Sequence, residues 1–330
     1  MDYSKLKRKE LLKICLEKGV KGCSNKKIEY MVLKLKALDT EVEQPAPTPV
    51  LAATLVATPA ATPAPAPTYT IINSSCIEGL QTLKEASRKV HLTVTSPPYF
   101  NVKEYVSYES YNEYLHTLET VFKLVYDITH DGRMCCVNIS NILIQRESRN
   151  KESKRIPLAF HFVALMEKIG WKFIEDIIWL KPEGSAKNRN GGFFQHRQPV
   201  AYKPNIVNEY IFIFQKPCTF LIDKIVRSYT DTISDKSKVS AEYERTNVWK
   251  IQPETKSKHP APYPEELVNR LVNYYSYVGD TVLDPFLGSG TTCLSAYKLQ
   301  RNSIGFEIHE KYITIAHERI KKLNPPVNNE

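Results

Sequence analysis

Residues 93–101 of the chain read TVTSPPYFN, so a short β-branched run is followed directly by a serine, two prolines and a tyrosine. The two prolines remove two backbone donors and fix two φ angles, so neither a strand nor a helix continues through them. The tip therefore offers a hydroxyl at Ser96, a rigidly held carbonyl at Pro97 and, after Pro98, an aromatic ring at Tyr99. Such a segment either forms a turn of the chain or binds a ligand.

A second chemical feature is the stretch DPFLGSGTT at residues 284–292, which follows a short apolar run. Gly288 and Gly290 permit a tight turn and a close approach of the backbone to a ligand. Glu307 follows Gly290 by 17 positions, and an acidic residue at this distance can accept hydrogen bonds from ribose hydroxyls. The stretch lacks the third glycine of a dinucleotide fingerprint, where Cys293 stands, and it lacks the Gly-Lys of a phosphate-binding loop.

An alternating set of strands and helices must position these residues. Apolar runs and period-two patterns predict strands at 69–72, 91–95, 134–138, 171–179, 209–214, 281–283 and 303–306. Helical periodicity predicts helices at 111–129, 158–169, 264–275, 292–299 and 310–323. The alternation predicts an α/β domain with a largely parallel sheet, in which ligands bind beyond the C-terminal ends of the strands.

The region before this domain has two parts of different composition. Residues 1–39 carry 11 Lys and Arg against 5 Asp and Glu, a net charge of +6 out of +9 for the whole chain. Leucines at helical spacing predict two short helices there. Residues 44–68 contain seven prolines and no charge, which predicts a semi-rigid linker. We therefore divide the chain into a helical module at 1–43, a linker at 44–68 and the α/β domain at 69–330.

Composition excludes several classes of protein. The seven cysteines form no C-x-x-C pair and no metal-ligand spacing, which predicts reduced thiols and no metal site. No run of 18 apolar residues and no signal peptide is found, so we expect a soluble intracellular protein. The basic N-terminal region predicts contact with a polyanion, with a solvated helical surface as the alternative. The oligomeric state is left open.

Read together, DPFLGSGTT and SPPY resemble the cofactor-binding and catalytic motifs of the amino-group DNA methyltransferases. The SPPY tip precedes the glycine loop by nearly 190 positions, which is the permuted order of the β group of that family. Four further stretches fit the same group, at residues 134–140, 179–182, 208–216 and 259–267. The resemblance covers roughly residues 69–323 and implies a Rossmann-like methyltransferase domain.

This resemblance implies methyl transfer from S-adenosylmethionine to an exocyclic amine in double-stranded DNA, without a metal. It makes Ser96, Pro97, Pro98 and Tyr99 the catalytic tip. The Ser96 hydroxyl and the Pro97 carbonyl accept the amino hydrogens, while Tyr99 offers a flat face to a base lifted out of the helix. The residues implied to surround the cofactor are Asp284, Pro285, Phe286, Gly288, Ser289, Gly290, Thr291 and Glu307.

The resemblance also bears on the base that is modified. Within the family, serine at the first position of the tip goes more often with cytosine N4 and aspartate with adenine N6, so Ser96 favours cytosine. Adenine N6 is the first alternative. An RNA or protein-amide substrate, and a catalytically silent DNA-binding protein, are the others.

Two regions are candidates for contacting DNA. The N-terminal module resembles the SAP-type DNA-binding motif, although Asn25 replaces the usual glycine; a plain helical hairpin or a partner-binding module is the alternative. The matching residues are Leu6, Glu10, Leu11, Leu16, Gly19, Val20, Lys26, Ile28 and Leu35. The second candidate is the basic segment 183–207, whereas residues 217–246 are either a recognition region or an ordinary surface insertion. The basic residues we expect to meet DNA are Lys7, Arg8, Lys26, Lys27, Lys187, Arg189 and Arg197.

Overall fold

The computed structural model describes a large part of the chain. The described residues are 3, 6–18, 28, 31–32, 35, 66–100, 108–144, 148, 150–151, 153–185, 199–200, 202, 204, 206–254 and 263–323. The chain divides into two units, residues 1–63 and 64–330. Five of the basic residues expected to meet DNA lie outside the described residues: Lys26, Lys27, Lys187, Arg189 and Arg197.

The first unit contains helix α1 (Arg8–Glu17). The backbone N–H of Lys7 donates to Glu10 Oε2 at 2.8 Å, which satisfies one of the free amides at the start of the helix. Leu11 and Cys15 of α1 pack in a small buried cluster together with Tyr3, Met31 and Leu35. Lys7 itself is exposed, and only the backbone of Arg8 is described. The first predicted helix is therefore present, while the likeness to a SAP motif stays a prediction.

The second unit alternates strands and helices. In chain order its elements are β1 (Tyr69–Asn73), α2 (Cys76–Glu85), β2 (Val90–Thr95), α3 (Tyr111–Ile128), β3 (Thr129–Ile139), β4 (Ile142–Ile144), β5 (Lys154–Ile156), α4 (Leu158–Ile169), β6 (Lys172–Leu180), β7 (Asn208–Gln215), α5 (Asp223–Val226), α6 (Asp231–Lys236), β8 (Val248–Lys250), α7 (Glu265–Tyr275), β9 (Thr281–Asp284), α8 (Thr291–Lys298), β10 (Asn302–Glu307) and α9 (Glu310–Lys321). A 3-10 turn at Glu183–Ser185 follows β6.

Eight strands form one sheet in the order β1-β10-β9-β2-β3-β7-β6-β8, and β4 pairs with β5 as a separate hairpin. β7 is antiparallel to both of its neighbours, and the other pairings within the large sheet are parallel. Helices α2, α3 and α4 bury one face of the sheet, and α7 and α8 pack on the other. The predicted α/β class with a largely parallel sheet is confirmed.

The ends of the strands define two opposite edges of the sheet. We call the edge where β2, β3, β6, β9 and β10 end the carboxyl edge, and the opposite one the amino edge. Because β7 runs antiparallel, it starts at the carboxyl edge, so the segment 183–207 between β6 and β7 leaves and re-enters the sheet at that edge. The β4–β5 hairpin also follows a strand that ends there.

Residues 217–237 pack at the amino edge instead. The Tyr229 hydroxyl donates to Asp280 Oδ1 at 2.5 Å, and Arg133 binds both of these side chains. Ser237 Oγ accepts from the backbone N–H of Val278 at 2.9 Å. Ligands of α/β sheets bind at the carboxyl edge, so this placement favours a surface insertion over a recognition region for this segment.

Candidate active site

The SPPY tip leaves the sheet at the carboxyl edge, at the end of the central strand β2. Pro97 is buried, and the other three residues of the tip are partly exposed. The Tyr114 hydroxyl of α3 donates to the Pro98 carbonyl at 3.0 Å. Tyr114 also packs against the rings of Phe100, at 5.9 Å, and Tyr108, at 5.2 Å between centroids. Helix α3 thus holds the tip through a residue that sequence analysis did not single out.

Tyr99 directs its hydroxyl into the protein. The oxygen is buried and has no hydrogen-bond partner among the described residues. Burial, followed by the nearby charge of Glu209, raises the pKa of Tyr99 well above its ordinary value. The backbone N–H of Ser140 lowers the pKa of Tyr99, although it does not have the distance and angle of a normal hydrogen bond to the hydroxyl. Tyr99 is therefore a neutral phenol at physiological pH, and the part of it that is exposed lies away from the hydroxyl.

Asp284, at the end of β9, connects the tip to the glycine loop. Its Oδ1 accepts hydrogen bonds from the Thr95 hydroxyl at 2.6 Å and from the Phe286 backbone N–H at 3.0 Å. Its Oδ2 accepts from the Tyr263 hydroxyl at 3.0 Å and the Thr292 hydroxyl at 2.6 Å. The side chain is fully buried. One carboxylate therefore joins the strand before the tip, the loop, the first turn of α8 and the segment that leads into α7.

Burial raises the pKa of Asp284, and its four hydrogen bonds act in the opposite direction. A buried carboxylate is tolerated when several donors replace the water that it has lost. The Thr292 and Tyr263 oxygens also lie close to each other, and because each hydroxyl has one proton, a bond between them is an alternative to one of their bonds to Asp284. The result is a dense polar group in which the negative charge of Asp284 is held beside the glycine loop.

The loop is also tied to the end of β10. Gly288 donates its backbone N–H to Glu307 Oε2 at 2.8 Å, and His309 donates to Oε1 at 2.9 Å. The backbone N–H of Leu287 donates to the Phe306 carbonyl at 2.9 Å. Glu307 is almost completely buried, so its carboxylate is fixed against the loop by two backbone amides.

Helix α9 fixes the far side of the loop. Gly290 has a φ of 82°, and a Cβ placed on it would lie 2.5 Å from the Cβ of Ala316. Arg319 donates to the Ser289 carbonyl at 2.8 Å and to the Thr291 hydroxyl at 3.0 Å. Neither Ala316 nor Arg319 carries a local sequence signal, because their role depends only on where α9 packs.

The structure therefore brings both predicted motifs together. Thr93 of β2 pairs with Leu283 of β9, so the tip and the loop emerge from neighbouring strands. The catalytic and cofactor-binding residues predicted from the sequence lie at the carboxyl edge, on the loop that starts there or, for Thr291, at the first position of α8. Of the predicted DNA contacts, only Lys7 is described with its side chain, and it belongs to the first unit.

The residues around the loop fit S-adenosylmethionine. Two acidic side chains, Asp284 and Glu307, face a loop that has no lysine, and this suits a cationic ligand with ribose hydroxyls better than a phosphate. Phe286 is partly exposed and apolar. Within the described part of the chain, no group of three or more His, Cys, Asp or Glu side chains is placed to hold a metal ion. No helix in that part is long and apolar enough to cross a membrane.

A mainly parallel sheet with a glycine loop at its carboxyl edge and a polar tip on the adjacent strand defines a Rossmann-like methyltransferase domain. The model of the DNA methylase family N6_N4_Mtase matches residues 90–318. The chain belongs to this family.

Individual relatives agree with this assignment. The type II methyltransferase M.MjaI of Methanocaldococcus jannaschii is 32% identical over 271 residues, which cover 70% of this chain and 85% of M.MjaI. The type II beta methyltransferase M.BslI of Bacillus sp. (strain NEB-606) is 30% identical over 240 residues, 68% of this chain; the match spans only 25% of M.BslI. The solved structure of TTHA0409 from Thermus thermophilus, complexed with S-adenosyl-L-methionine, superposes with a TM-score of 0.61 at 28% identity and covers 79% of this chain and 95% of that one.

Proposed function

We propose that the protein transfers a methyl group from S-adenosylmethionine to the N4 amino group of cytosine in double-stranded DNA. The observation that carries the proposal is the 2.6 Å hydrogen bond between Thr95 and Asp284, because it places the SPPY tip and the glycine loop side by side. Membership of the DNA methylase family supports the reaction. The solved complex of TTHA0409 with S-adenosyl-L-methionine supports the cofactor.

When bound, S-adenosylmethionine supplies a methyl group on a positively charged sulfur. Asp284 and Glu307 provide negative charge and hydrogen-bond acceptors beside the glycine loop that would hold it. The Ser96 hydroxyl and the Pro97 carbonyl accept the amino hydrogens of the target base, which draws the nitrogen lone pair out of conjugation and aims it at the methyl carbon. Tyr99 contributes a ring face and, with its raised pKa, does not act as a base.

The choice of base rests on Ser96. Serine at this position is implied by the resemblance to favour cytosine, and both cytosine N4 and adenine N6 are exocyclic amines on flat rings. Adenine N6 is therefore the alternative within the same reaction.

DNA contact is assigned to the carboxyl edge and to the N-terminal module. The segment 183–207 starts and ends at the carboxyl edge, the same edge as the tip, and its sequence carries Lys187, Arg189 and Arg197. Basic side chains at this place would follow the phosphate backbone around an extruded base. The module at 1–43, joined by the linker at 44–68, would raise the local concentration of DNA near the catalytic domain at 69–330.

The test is to incubate the full-length protein with isotope-labelled S-adenosylmethionine and unmethylated genomic DNA, to digest the DNA to nucleosides and to identify the labelled one by mass. We expect labelled N4-methyldeoxycytidine. Labelled N6-methyldeoxyadenosine alone would move the assignment to adenine, and DNA without any label would contradict the enzymatic function.

The Tyr99→Ala variant tests the assignment of the tip to the target base. We expect it to lose transfer while its calorimetric affinity for S-adenosylmethionine stays within about threefold of the unmodified protein, because the ring is assigned to the base and not to the cofactor. A large loss of cofactor affinity would show that the tip has been assigned to the wrong ligand.

A further inference from the structure

Two buried polar atoms at the carboxyl edge lack a hydrogen-bond partner among the described residues, the Tyr99 hydroxyl and Asn138 Oδ1. Asn138 lies at the end of β3 and is only 3% exposed. A buried acceptor left unpaired costs about 1–3 kcal/mol, and few native groups remain in that state. The position of Asn138 at the edge that binds ligands indicates a ligand group that satisfies its Oδ1.

The orientation of the Asn138 amide is fixed by its neighbours. Asn138 Nδ2 donates to Glu209 Oε2 at 2.7 Å, and turning the amide over would bring two oxygens together. The other carboxylate oxygen, Glu209 Oε1, accepts from the Lys181 ammonium. That ammonium lies 4.6 Å from the ring centroid of Trp179. The series Lys181–Glu209–Asn138 therefore leaves Oδ1 as the free end of the amide.

This series lies beside the SPPY tip. Thr95, the last residue of β2, pairs with Val137 of β3, so Asn138 is level with the first residue of the tip on the neighbouring strand. Glu209 stands at the start of β7 and Lys181 directly follows β6, which places both at the carboxyl edge. The influence of the Glu209 charge on Tyr99 is consistent with this proximity.

We infer that Asn138 Oδ1 is a hydrogen-bond acceptor for the amino group of the extruded target base, and that Glu209 and Lys181 are positioning residues that hold the amide in this orientation. An exocyclic amine has two N–H donors, and Asn138 Oδ1 would share them with the two acceptors of the tip, the Ser96 hydroxyl and the Pro97 carbonyl. An oxygen that can only accept selects for an amino group and against a ring carbonyl. The inference rests on the proposed function and adds the residues that hold the base.

The test compares the affinity of the full-length protein for two duplexes that differ only in one nucleotide, an unpaired cytosine or an abasic site. We expect the unmodified protein to prefer the cytosine duplex, and Asn138→Leu to lose about 10-fold or more of that preference. The preference is a ratio measured on one protein sample, so a partial loss of folded protein cancels. Asn269→Leu is the matched control, because Asn269 Oδ1 is also buried and without a partner among the described residues but lies on α7. It should leave the preference unchanged.

The positioning residues are tested in the same assay. Glu209→Gln should reduce the preference in the unmodified background and have little further effect once Asn138 is replaced by leucine, because Glu209 acts through Asn138. Lys181→Arg should retain more of the preference than Lys181→Met, since the guanidinium still donates to Glu209. If replacing Glu209 and replacing Asn138 had additive effects on the preference for the cytosine duplex, Glu209 would not act through Asn138.

Two outcomes overturn the inference. One is an Asn138→Leu variant that prefers cytosine as strongly as the unmodified protein; the other is an unmodified protein that does not distinguish the two duplexes. Both are binding results and need no turnover. A failure of the proposed function would instead appear as DNA without label in the nucleoside assay, so the two failures are separable.

Discussion

At the scale of single residues, the charge of Asp284 organises the site. Each of its oxygens takes two hydrogen bonds, and the donors come from four separate parts of the chain. Hydrogen bonds to a charged group are worth more than those to a neutral one, about 1.5–3 kcal/mol each. A neutral side chain of the same shape would keep the contacts and lose the charge, which makes the residue testable without disturbing its packing.

Replacing Asp284 with Asn should weaken the binding of S-adenosylmethionine by about 10-fold or more. The oxygen of the new amide can still accept from the Phe286 N–H, while the hydroxyls of Thr292 and Tyr263 can turn to accept from its nitrogen. The variant should therefore remain folded but lose the negative charge next to the cationic ligand. Isothermal calorimetry measures the affinity, and circular dichroism checks the fold.

Asp223→Asn serves as its control. The Asp223 side chain is 73% exposed and pairs with Arg227 next to α5, away from the site. The same chemical change there should leave cofactor affinity unaltered. If the Asp284→Asn variant and the unmodified protein bound S-adenosylmethionine with equal affinity, Asp284 would not be part of the cofactor site.

At the scale of elements, the glycine loop is shaped by α9 as much as by its own sequence. The positive φ of Gly290 allows the chain to turn into α8, and its missing side chain allows Ala316 of α9 to approach. Arg319 on the same helix then bonds two residues of the loop. The conformation of the loop thus depends on a helix that begins 20 residues later.

The substitution Gly290→Ala should therefore destabilise the protein and weaken the binding of S-adenosylmethionine. Gly279→Ala is a matched comparison, since Gly279 has a φ of 87° but no atom within 4 Å of the position that an added Cβ would take. Both variants carry the strain of a positive φ, but only the added Cβ of Gly290→Ala meets Ala316. Gly290→Ala should therefore lower the free energy of unfolding by about 1–3 kcal/mol more than Gly279→Ala does. Urea denaturation measures this difference, and equal costs would contradict a close approach of α9.

At the scale of the whole molecule, the two edges of the sheet carry different groups of residues. The carboxyl edge holds the tip, the glycine loop and the Lys181–Glu209–Asn138 series, while residues 217–237 pack at the amino edge around Asp280. All strands of this sheet belong to the second unit, and the basic N-terminal residues belong to the first. Its basic sequence supports a role in DNA affinity rather than in the chemical step.

Deleting residues 1–43 should weaken DNA binding and reduce its dependence on salt. Four of the expected phosphate contacts, Lys7, Arg8, Lys26 and Lys27, would be lost, so the slope of log affinity against log salt should fall by roughly 2–4. The rate of transfer at saturating DNA should change little, because the catalytic residues remain. Filter binding or fluorescence anisotropy over a range of salt concentrations measures the slope; an unchanged slope would rule out the module as a DNA contact.

Long elements were predictable from the sequence because they repeat a pattern over many residues. The helix expected at 158–169 is found at Leu158–Ile169, and the strand expected at 209–214 is found at Asn208–Gln215. Three-residue strands such as Val248–Lys250 were missed, since so short a segment shows no period. Helix α2 was missed as well, and its central Gly79, a poor helix former, is required because a Cβ there would lie 2.1 Å from the Phe306 ring.

The DNA methylase family and the α/β class were also predictable, because the tip and the glycine loop are contiguous strings at strand ends. The division into three domains, the SAP-like module, the site roles and the cytosine preference stay predictions. Contacts between distant residues could not be foreseen. Thr95 and Asp284 are 189 positions apart, and Asn138 and Glu209 are 71 apart.

The sequence by itself determined which side chains end the strands, since local patterns of apolar and polar residues decide where a strand stops. Only the tertiary structure decided which of these ends lie next to each other, because that depends on the order and register of strands far apart in the chain. It also decided that β7 runs antiparallel, which brings Glu209 and the ends of the segment 183–207 to the carboxyl edge. A hydrogen bond acts over about 3 Å, so the site exists only once the sheet has set these distances.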